Sequence, residues 1–185
     1  ALALRCSSIP RSSVTTAPAA GGWCAVAELA EPLSWQLVEF LRDRVKLIRT
    51  SAGFRTDIGG GLIVVDDDEV SEDQSEPATV ISVQQLSRSG GGSAQASSDA
   101  AITIEFEVPR GSGRENPRLL VHRARHDLIR ALTLNTKMLP IGVTAFELLT
   151  TQMATLEDDA GHSAVVAQIT ARAGLTETFE PVPNP

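Results

Sequence analysis

The chain has 185 residues, enough for one domain with a real core and too few for two comfortable ones. Sixteen basic and twenty-three acidic residues give a formal net charge of −7, which argues against a protein that wraps nucleic acid by neutralising its phosphates. No apolar run reaches about eighteen residues, so no membrane-spanning helix is predicted. Cys6 and Cys24 have the spacing of neither a disulfide framework nor a zinc site.

Residues 1–31 differ in composition from the rest of the chain. They are rich in Ser, Ala, Thr and Pro, carry Arg5 and Arg11, and contain no acid before Glu28. This composition is also typical of an organellar transit peptide, but the amphipathic pattern of such peptides is absent. We expect an N-terminal arm laid on a neighbouring surface, with a plain tail as the alternative.

An amphipathic helix is predicted to begin near Pro32 or Ser34, where Ser34 can act as the N-cap. Apolar residues recur at the spacing of one helical face, and they are Leu33, Leu37, Leu41, Val45 and Ile48. Gly53 is the expected C-terminal stop of this helix.

The segment after Gly53 connects the helix to a strand. We expect Phe54 and Ile58 to fold back on the core, residues 59–61 to form a flexible glycine corner, and residues 62–65 to form a strand. We expect the junction to serve mainly for packing, and Arg55 and Asp57 are its two candidate interface residues.

An acidic segment follows this strand. Residues 66–76 hold seven acids and no base, and its candidate contact residues are Asp66, Asp67, Asp68 and Glu69. As a cation site, the segment lacks the calcium-loop pattern, because Val70 stands where an acid is needed and no glycine lies inside it. A solvated loop or an electrostatic surface is the favoured interpretation. In a ring of copies it would form a negative wall that repels DNA phosphates.

The middle of the chain predicts two strands, a long hairpin tip and a second helix. A strand is expected from Thr79 to Leu86, then a flexible Ser/Gly tip over residues 87–98, then a strand over 102–108 with alternating apolar and polar residues.

Asn116 followed by Pro117 predicts a helix start. That helix is expected to run to about Leu134, with one apolar side made of Val121, Ala124, Leu128, Ala131 and Leu132.

Two further strands complete the predicted domain. Residues 141–156 change their apolar phase between Val143 and Phe146, which indicates a bulge or bend. After a turn at 157–162, apolar residues alternate from Val165 to Ala173. The fold class expected is α/β or, more closely, α+β, with a mainly antiparallel or mixed sheet and two helices packed on one face. The domain is expected to span residues 32–180, with 181–185 as a C-terminal tail.

The second helix carries a cationic outer side. Arg118, His122, Arg125 and Arg130 are expected to trace it. It is interpreted either as a solvated face or as an interface with an acidic neighbour, including another copy of the chain. His122 and His126 have metal-chelating spacing, but flanking arginines disfavour a cation.

The sequence offers no credible catalytic set. No serine stands in a Gly-x-Ser-x-Gly elbow. The glycines at 59–61 precede a predicted strand and not a helix, so they offer no helix N-terminus to bind a phosphate group. The expectation is therefore a protein that is not an enzyme and that uses no cofactor and no metal.

The segment from Gly53 to Gly59, with sequence Gly-Phe-Arg-Thr-Asp-Ile-Gly, follows a helix and precedes an acidic turn. With the Val80-Ile81-Ser82-Val83 strand, the alternating strand before the second helix, and the Asp158-Asp159 turn, it resembles the tail terminator proteins of tailed bacteriophages, also called minor tail proteins. The resemblance covers about residues 32–180, and it leaves out the first thirty-one residues.

This resemblance implies a structural virion protein that forms a hexameric ring at the head-proximal end of the tail tube. There it stops tube polymerisation and offers a head–tail joining surface. The implied partners are other copies of the chain, the tail tube protein and a neck or connector protein, while DNA passes through the lumen without specific binding. Two alternatives remain open, a neck or head-completion connector and a small metal-dependent enzyme that uses the acidic loop.

Overall fold

A computed structural model describes residues 31–66, 76–92, 94–110, 116–157 and 163–179. These residues form an α+β fold, as the sequence predicts, with a mixed five-stranded sheet and two helices. In chain order the elements are α1 Leu33–Lys46, β1 Leu62–Val65, β2 Ala78–Gly91, β3 Gln95–Pro109, α2 Pro117–Leu132, β4 Val143–Glu157 and β5 Ser163–Thr178. The predicted arm, most of the acidic segment, the turn at 158–162 and the tail from 180 lie outside the described residues.

The strand order in the sheet is β1-β2-β3-β5-β4. β1 pairs with β2 in parallel, with Leu62 opposite Ala78, while the remaining neighbours are antiparallel. β1 and β4 are therefore the two edge strands of the described sheet, and they are of very different length, 4 and 15 residues.

Both helices pack on the same face of the sheet, around one apolar core. Alternate residues of β3 and β5 point to that face, and the side chains of Ile104, Phe106 and Ile169 are almost completely buried there. The helices contribute their predicted apolar sides, because the residues expected to face the core in α1 and α2 are all buried. The predicted faces of both helices and both strands are confirmed.

The predicted start of α1 is wrong in detail. The N-cap is Pro32, which makes no side-chain capping bond, and Ser34 lies inside the helix. The backbone N–H of Leu33 instead donates to Oε1 of Glu177 at 2.8 Å. A carboxylate from β5 thus satisfies a free amide of the first turn, which local sequence cannot indicate.

The junction after α1 also differs from the prediction. The helix ends at Lys46, well before Gly53, and Gly53 ends a separate 3₁₀ turn over Thr50–Ala52 with φ of +80°. The region of the expected flexible glycine corner forms a second 3₁₀ turn, Ile58–Gly60, in which Ile58 and Gly59 are buried. A Cβ atom on Gly59 would lie 2.5 Å from the carbonyl oxygen of Lys46, so this position requires glycine.

The expected long Ser/Gly hairpin tip is mostly strand. β2 continues to Gly91, and β3 already begins at Gln95. Residues such as Ser97 have low intrinsic strand preference, but Ser97 pairs with Gly90 on one side and with Thr176 on the other. Pairing on two sides overrides local propensity here, because β3 is an interior strand.

The start of α2 and the irregularity in β4 agree with the sequence. Oδ1 of Asn116 accepts a bond from the Leu119 amide at 3.1 Å, and Pro117 is the first helical residue. The helix ends at Leu132, two residues earlier than expected. β4 shows a register shift between Val143 and Ala145, which confirms the bulge, and a second shift further along.

Candidate functional site

A buried carboxylate joins the junction to α2. Oδ2 of Asp127 accepts hydrogen bonds from the Arg55 amide and the Thr56 hydroxyl, each at 2.8 Å. Asp127 is fully buried and Thr56 is 4% exposed. A buried carboxylate is tolerated only when it is hydrogen-bonded. The bonds from Arg55 and Thr56 satisfy Asp127, and they hold the junction against α2.

Arg130 contributes to the same contact. Its Nη1 donates to the Gly53 carbonyl oxygen at 2.7 Å, and its guanidinium carbon lies 4.6 Å from the centre of the Phe54 ring. Phe54 in turn packs against the core, as expected. Arg130 therefore belongs to the junction side of α2 and stabilises the subunit itself, rather than continuing the row of Arg118, His122 and Arg125.

Asp57 has a structural role within the junction. Its Oδ1 accepts from the Thr50 amide at 2.8 Å, and the Thr50 hydroxyl contacts both carboxylate oxygens. These bonds, led by the one from the Thr50 backbone, lower the pKa of Asp57 below its ordinary value. The Arg55 side chain, by contrast, is exposed and makes no hydrogen bond or ion pair within the described residues.

Three cations form a row on the other side of α2, which we call the cationic stripe: Arg118, His122 and Arg125. Arg125 is half-buried, and its Nη2 donates to the Thr151 hydroxyl of β4. Arg118 and His122 are exposed and have no side-chain partner among the described residues. The spacing of four and three residues places all three on one side of the helix, the side that leans toward β4.

The acidic segment is described only at its two ends. Asp66 follows β1, where its Oδ1 accepts from the Val83 amide at 2.8 Å and its own amide donates to the Ile81 carbonyl at 2.9 Å. Asp66, at φ of +43°, thus closes the end of β1. Asp67, Asp68 and Glu69 lie outside the described residues.

The two histidines of α2 do not gather further ligands. Nδ1 of His126 lies 3.4 Å from Oδ1 of the buried Asp127, while His122 points away to solvent with the stripe. Among the described residues, no three His, Cys, Asp or Glu side chains are close enough together to hold a metal ion.

The face of the sheet opposite the helices carries a polar ladder across three strands. Gln152 of β4 donates to Gln168 of β5, which donates to Glu105 of β3, both at 2.6 Å. Further along, Arg172 pairs with Asp99 at 2.9 Å. The pKa of the neighbouring Glu107 is raised, mainly by its partial burial and secondarily by the negative charge of Glu105.

A cavity of about 510 Å³ lies between the junction, the start of β2 and α2. Arg55 and Arg123 stand on its wall, and Phe106 and Thr79 reach it from the sheet. The Thr79 hydroxyl is buried and has no hydrogen-bond partner among the described residues. Glu76 also lines this cavity, so the cavity wall carries both basic and acidic side chains.

The structure thus gathers the sequence-predicted residues into two groups. Arg55, Asp57 and Arg130 lie at the junction, and Arg118, His122 and Arg125 form the stripe. Asp127 was missed, although an acid between Ala124 and Leu128 on the apolar side of a helix was a visible signal in the sequence. Such an acid must find a partner in the core.

Together these features define an α+β domain with a polar ladder on the sheet face opposite the helices and with one cationic helix side. No protein-family model matches this chain, and no curated protein matches it either. None of the described helices is long and apolar enough to cross a membrane.

Proposed function

We propose that the protein is a structural subunit of a tailed-bacteriophage virion, a tail terminator. Copies form a ring at the head-proximal end of the tail tube, end its polymerisation, and present the surface to which the neck binds. The proposal starts from the resemblance of residues 32–180 to that family. The α+β fold with two helices on one face is the kind of subunit that the resemblance implies.

The observation that carries the proposal is the asymmetry of the sheet edges. One edge is the 4-residue β1, and the other is the 15-residue β4 with its outer backbone groups unpaired within the described residues. Such unlike edges favour a contact between two different surfaces of the same chain. Contacts of this kind are heterologous, and they close into a ring when the rotation per subunit divides the circle.

The charge of the protein is compatible with a ring through whose lumen DNA passes. The net charge is −7, and the sheet face opposite the helices carries Glu105 and Glu107, while its Asp99 is paired with Arg172. A surface of this sign repels phosphates and gives DNA little to bind.

Mass photometry and negative-stain microscopy of the purified full chain test ring formation. We expect closed rings with a central hole, and a single species whose mass is about six times 19.6 kDa. A chain that stays monomeric up to high micromolar concentration would contradict the proposal.

The tail role requires a second measurement. Addition of the protein to polymerising tail tube protein of the same virion should shorten the tubes and place a ring on one end only. Tubes of unchanged length without end-bound rings would exclude a terminator, even if the protein forms rings by itself.

A further inference from the structure

We infer that the cavity between the junction, the start of β2 and α2 binds a small organic anion, in which an oxyanion such as a carboxylate is joined to an apolar body. This inference goes beyond the proposed function, and it depends on neither a ring nor a virion. It rests on the size and rigidity of the cavity, on two guanidinium groups in its wall, and on a buried hydroxyl group beside them.

The cavity has the size of a ligand site. Its volume is about 510 Å³, and pockets that hold small molecules commonly measure about 300–1,000 Å³. The residues that line it come from the junction, from the β1 and β2 end of the sheet, from β3 and from α2. A molecule in the cavity is therefore contacted from several sides.

The walls of the cavity are held in place by bonds within the domain. The Arg55 amide donates to the buried Asp127, and the carboxylate of Asp57 accepts bonds from Thr50. The sheet side is fixed by the parallel pairing of β1 with β2. A preformed site loses little conformational freedom when a ligand binds, and this favours affinity.

Two arginines supply positive charge to the cavity wall. The backbone of Arg55 is fixed, but its side chain is exposed and has no hydrogen bond or ion pair within the described residues. Arg123 of α2 is also exposed, and it likewise has no side-chain partner in that part of the chain. Both residues line the cavity. Because a guanidinium group offers a planar fork of donors, two of them around one cavity favour an oxyanion.

Two carboxylates lie in the same wall, Asp57 and Glu76. Both oxygens of Asp57 accept bonds from Thr50, so this carboxylate is engaged within the junction. Glu76 lies two residues before β2, and its negative charge opposes that of an anion. Removal of the Glu76 charge should therefore strengthen the binding of an anion, which the experiment below uses.

The buried hydroxyl of Thr79 indicates the same ligand chemistry. Thr79 shares the helix side of β2 with the core residue Ile81, and it lies opposite Phe106 of β3. It lines the cavity at 1% exposure, and its hydroxyl has no hydrogen-bond partner among the described residues. Buried polar groups are rarely left unpaired in folded proteins. An oxygen atom of a bound ligand would accept the hydrogen bond of this hydroxyl.

Apolar side chains line the cavity beside these polar groups. Leu62 is 46% exposed, Leu120 of α2 is partly buried, and Phe106 belongs to the sheet side. Apolar surface with a few convergent polar groups is the usual composition of a ligand site. The oxyanion that the arginines favour should therefore carry an apolar body.

Isothermal titration calorimetry of the full chain with four probes tests the site. The probes are phenylacetate, phenyl phosphate, phenethyl alcohol and acetate. We expect phenylacetate to bind with a Kd that is roughly millimolar or tighter, which suits a probe of about ten non-hydrogen atoms. Phenethyl alcohol lacks the anion and acetate lacks the apolar body, so both should bind more weakly. The tighter of phenylacetate and phenyl phosphate shows whether the site prefers a carboxylate or a phosphate.

Substitutions then locate the binding site. Arg55→Gln and Arg123→Gln should each weaken the binding of phenylacetate by about fivefold or more, and Thr79→Val should also weaken it, because each removes a hydrogen-bond donor. Glu76→Gln should strengthen it. The matched control is Arg118→Gln, which removes an exposed cation of the same helix outside the cavity lining and should leave binding unchanged. Circular dichroism and urea unfolding confirm that each variant is folded.

Three results would overturn the inference. The first is no saturable heat with phenylacetate or phenyl phosphate at millimolar concentration. The second is equal binding of phenylacetate and phenethyl alcohol, since the guanidinium groups would then contribute nothing. The third is a loss in Arg118→Gln as large as that in Arg123→Gln, because the attraction would then come from the general charge of α2.

None of these results bears on the ring, which mass photometry of the chain without probe measures separately. If the chain binds the anion but never assembles, the proposed function fails and the anion site stands.

Discussion

The Thr56 hydroxyl donates to Oδ2 of Asp127 at 2.8 Å, although 71 residues separate the two in the chain. Both side chains lie in the interior, at 4% and 0% exposure. The same carboxylate oxygen also accepts from the Arg55 amide. This contact makes the junction a fixed part of the domain, and it predicts how the domain responds to mutation.

Replacement of Asp127 by alanine should destabilise the domain by about 3 kcal/mol, because it leaves the buried Thr56 hydroxyl and the partly buried Arg55 amide without an acceptor. The measurement is urea unfolding followed by circular dichroism. Asp43→Ala, an exposed acid on α1, is the control and should change the free energy of unfolding by less than about 0.5 kcal/mol. Equal effects of the two substitutions would contradict the role assigned to Asp127.

Two buried threonines should respond differently to the same substitution. Thr56→Val removes a hydroxyl that is bonded to Asp127 and should cost about 1–2 kcal/mol, whereas Thr79→Val removes a buried hydroxyl without a partner and should leave stability unchanged or raise it by about 1 kcal/mol. Both side chains are buried, so each variant controls for the other. A clear loss of stability in Thr79→Val would show that its hydroxyl has a partner.

Gly59→Ala should destabilise the domain by about 1–3 kcal/mol, since the added methyl group would meet the backbone of Lys46 and Val45 at 2.5–2.6 Å. Gly92→Ala adds the same group where no atom lies within 4 Å. Thermal melting of the two variants makes the comparison. A Gly59 variant as stable as the Gly92 variant would contradict this close approach of the two backbone segments.

The raised pKa of Glu107 predicts a pH dependence. Its ordinary value is 4.5, and the folded domain holds the proton to higher pH than the unfolded chain does. As pH rises above about 4.5, the unfolded state has therefore released more protons, which favours unfolding. Glu107→Gln should remove this loss, so the variant gains stability over the wild type at pH 7 but not at pH 3.5. Urea unfolding of the variant and the wild type at pH 7 and at pH 3.5 measures this difference in stability. An equal gain at the two pH values would show that it does not come from the raised pKa of Glu107.

Local signals in the sequence predicted much of the fold correctly. The spacing of Leu37 and Leu41 indicates an amphipathic helix, and the alternation of Ile102, Ile104 and Phe106 indicates a strand with one buried face. Asn116 and Pro117 begin a helix because a capping oxygen and a fixed φ act on adjacent residues. Each of these signals operates within a few residues, so it can be detected without the partner elements.

The errors have a different origin. Gly53 is the predicted end of α1, but the chain leaves the helix at Lys46 and is then held by contacts with α2. The Ser/Gly segment 87–98 is predicted as a flexible hairpin tip, but Ser97 lies in an interior strand. Arg130 is predicted to continue the cationic outer side of α2, but its side chain donates to the Gly53 carbonyl oxygen. In each case a partner that is distant in sequence outweighs local preference.

The sequence by itself determined the two helices, the buried faces of the strands, and the opposite charges of segment 66–76 and α2. The tertiary structure alone decided the parallel pairing of β1 with β2 and the strand order that makes β1 and β4 the two edges of the described sheet. It also decided which cations are free, because Arg130 is bound at the junction while Arg118 and His122 are not. Periodicity and charge are properties of short segments, whereas strand order and free surfaces depend on contacts between residues far apart in the chain.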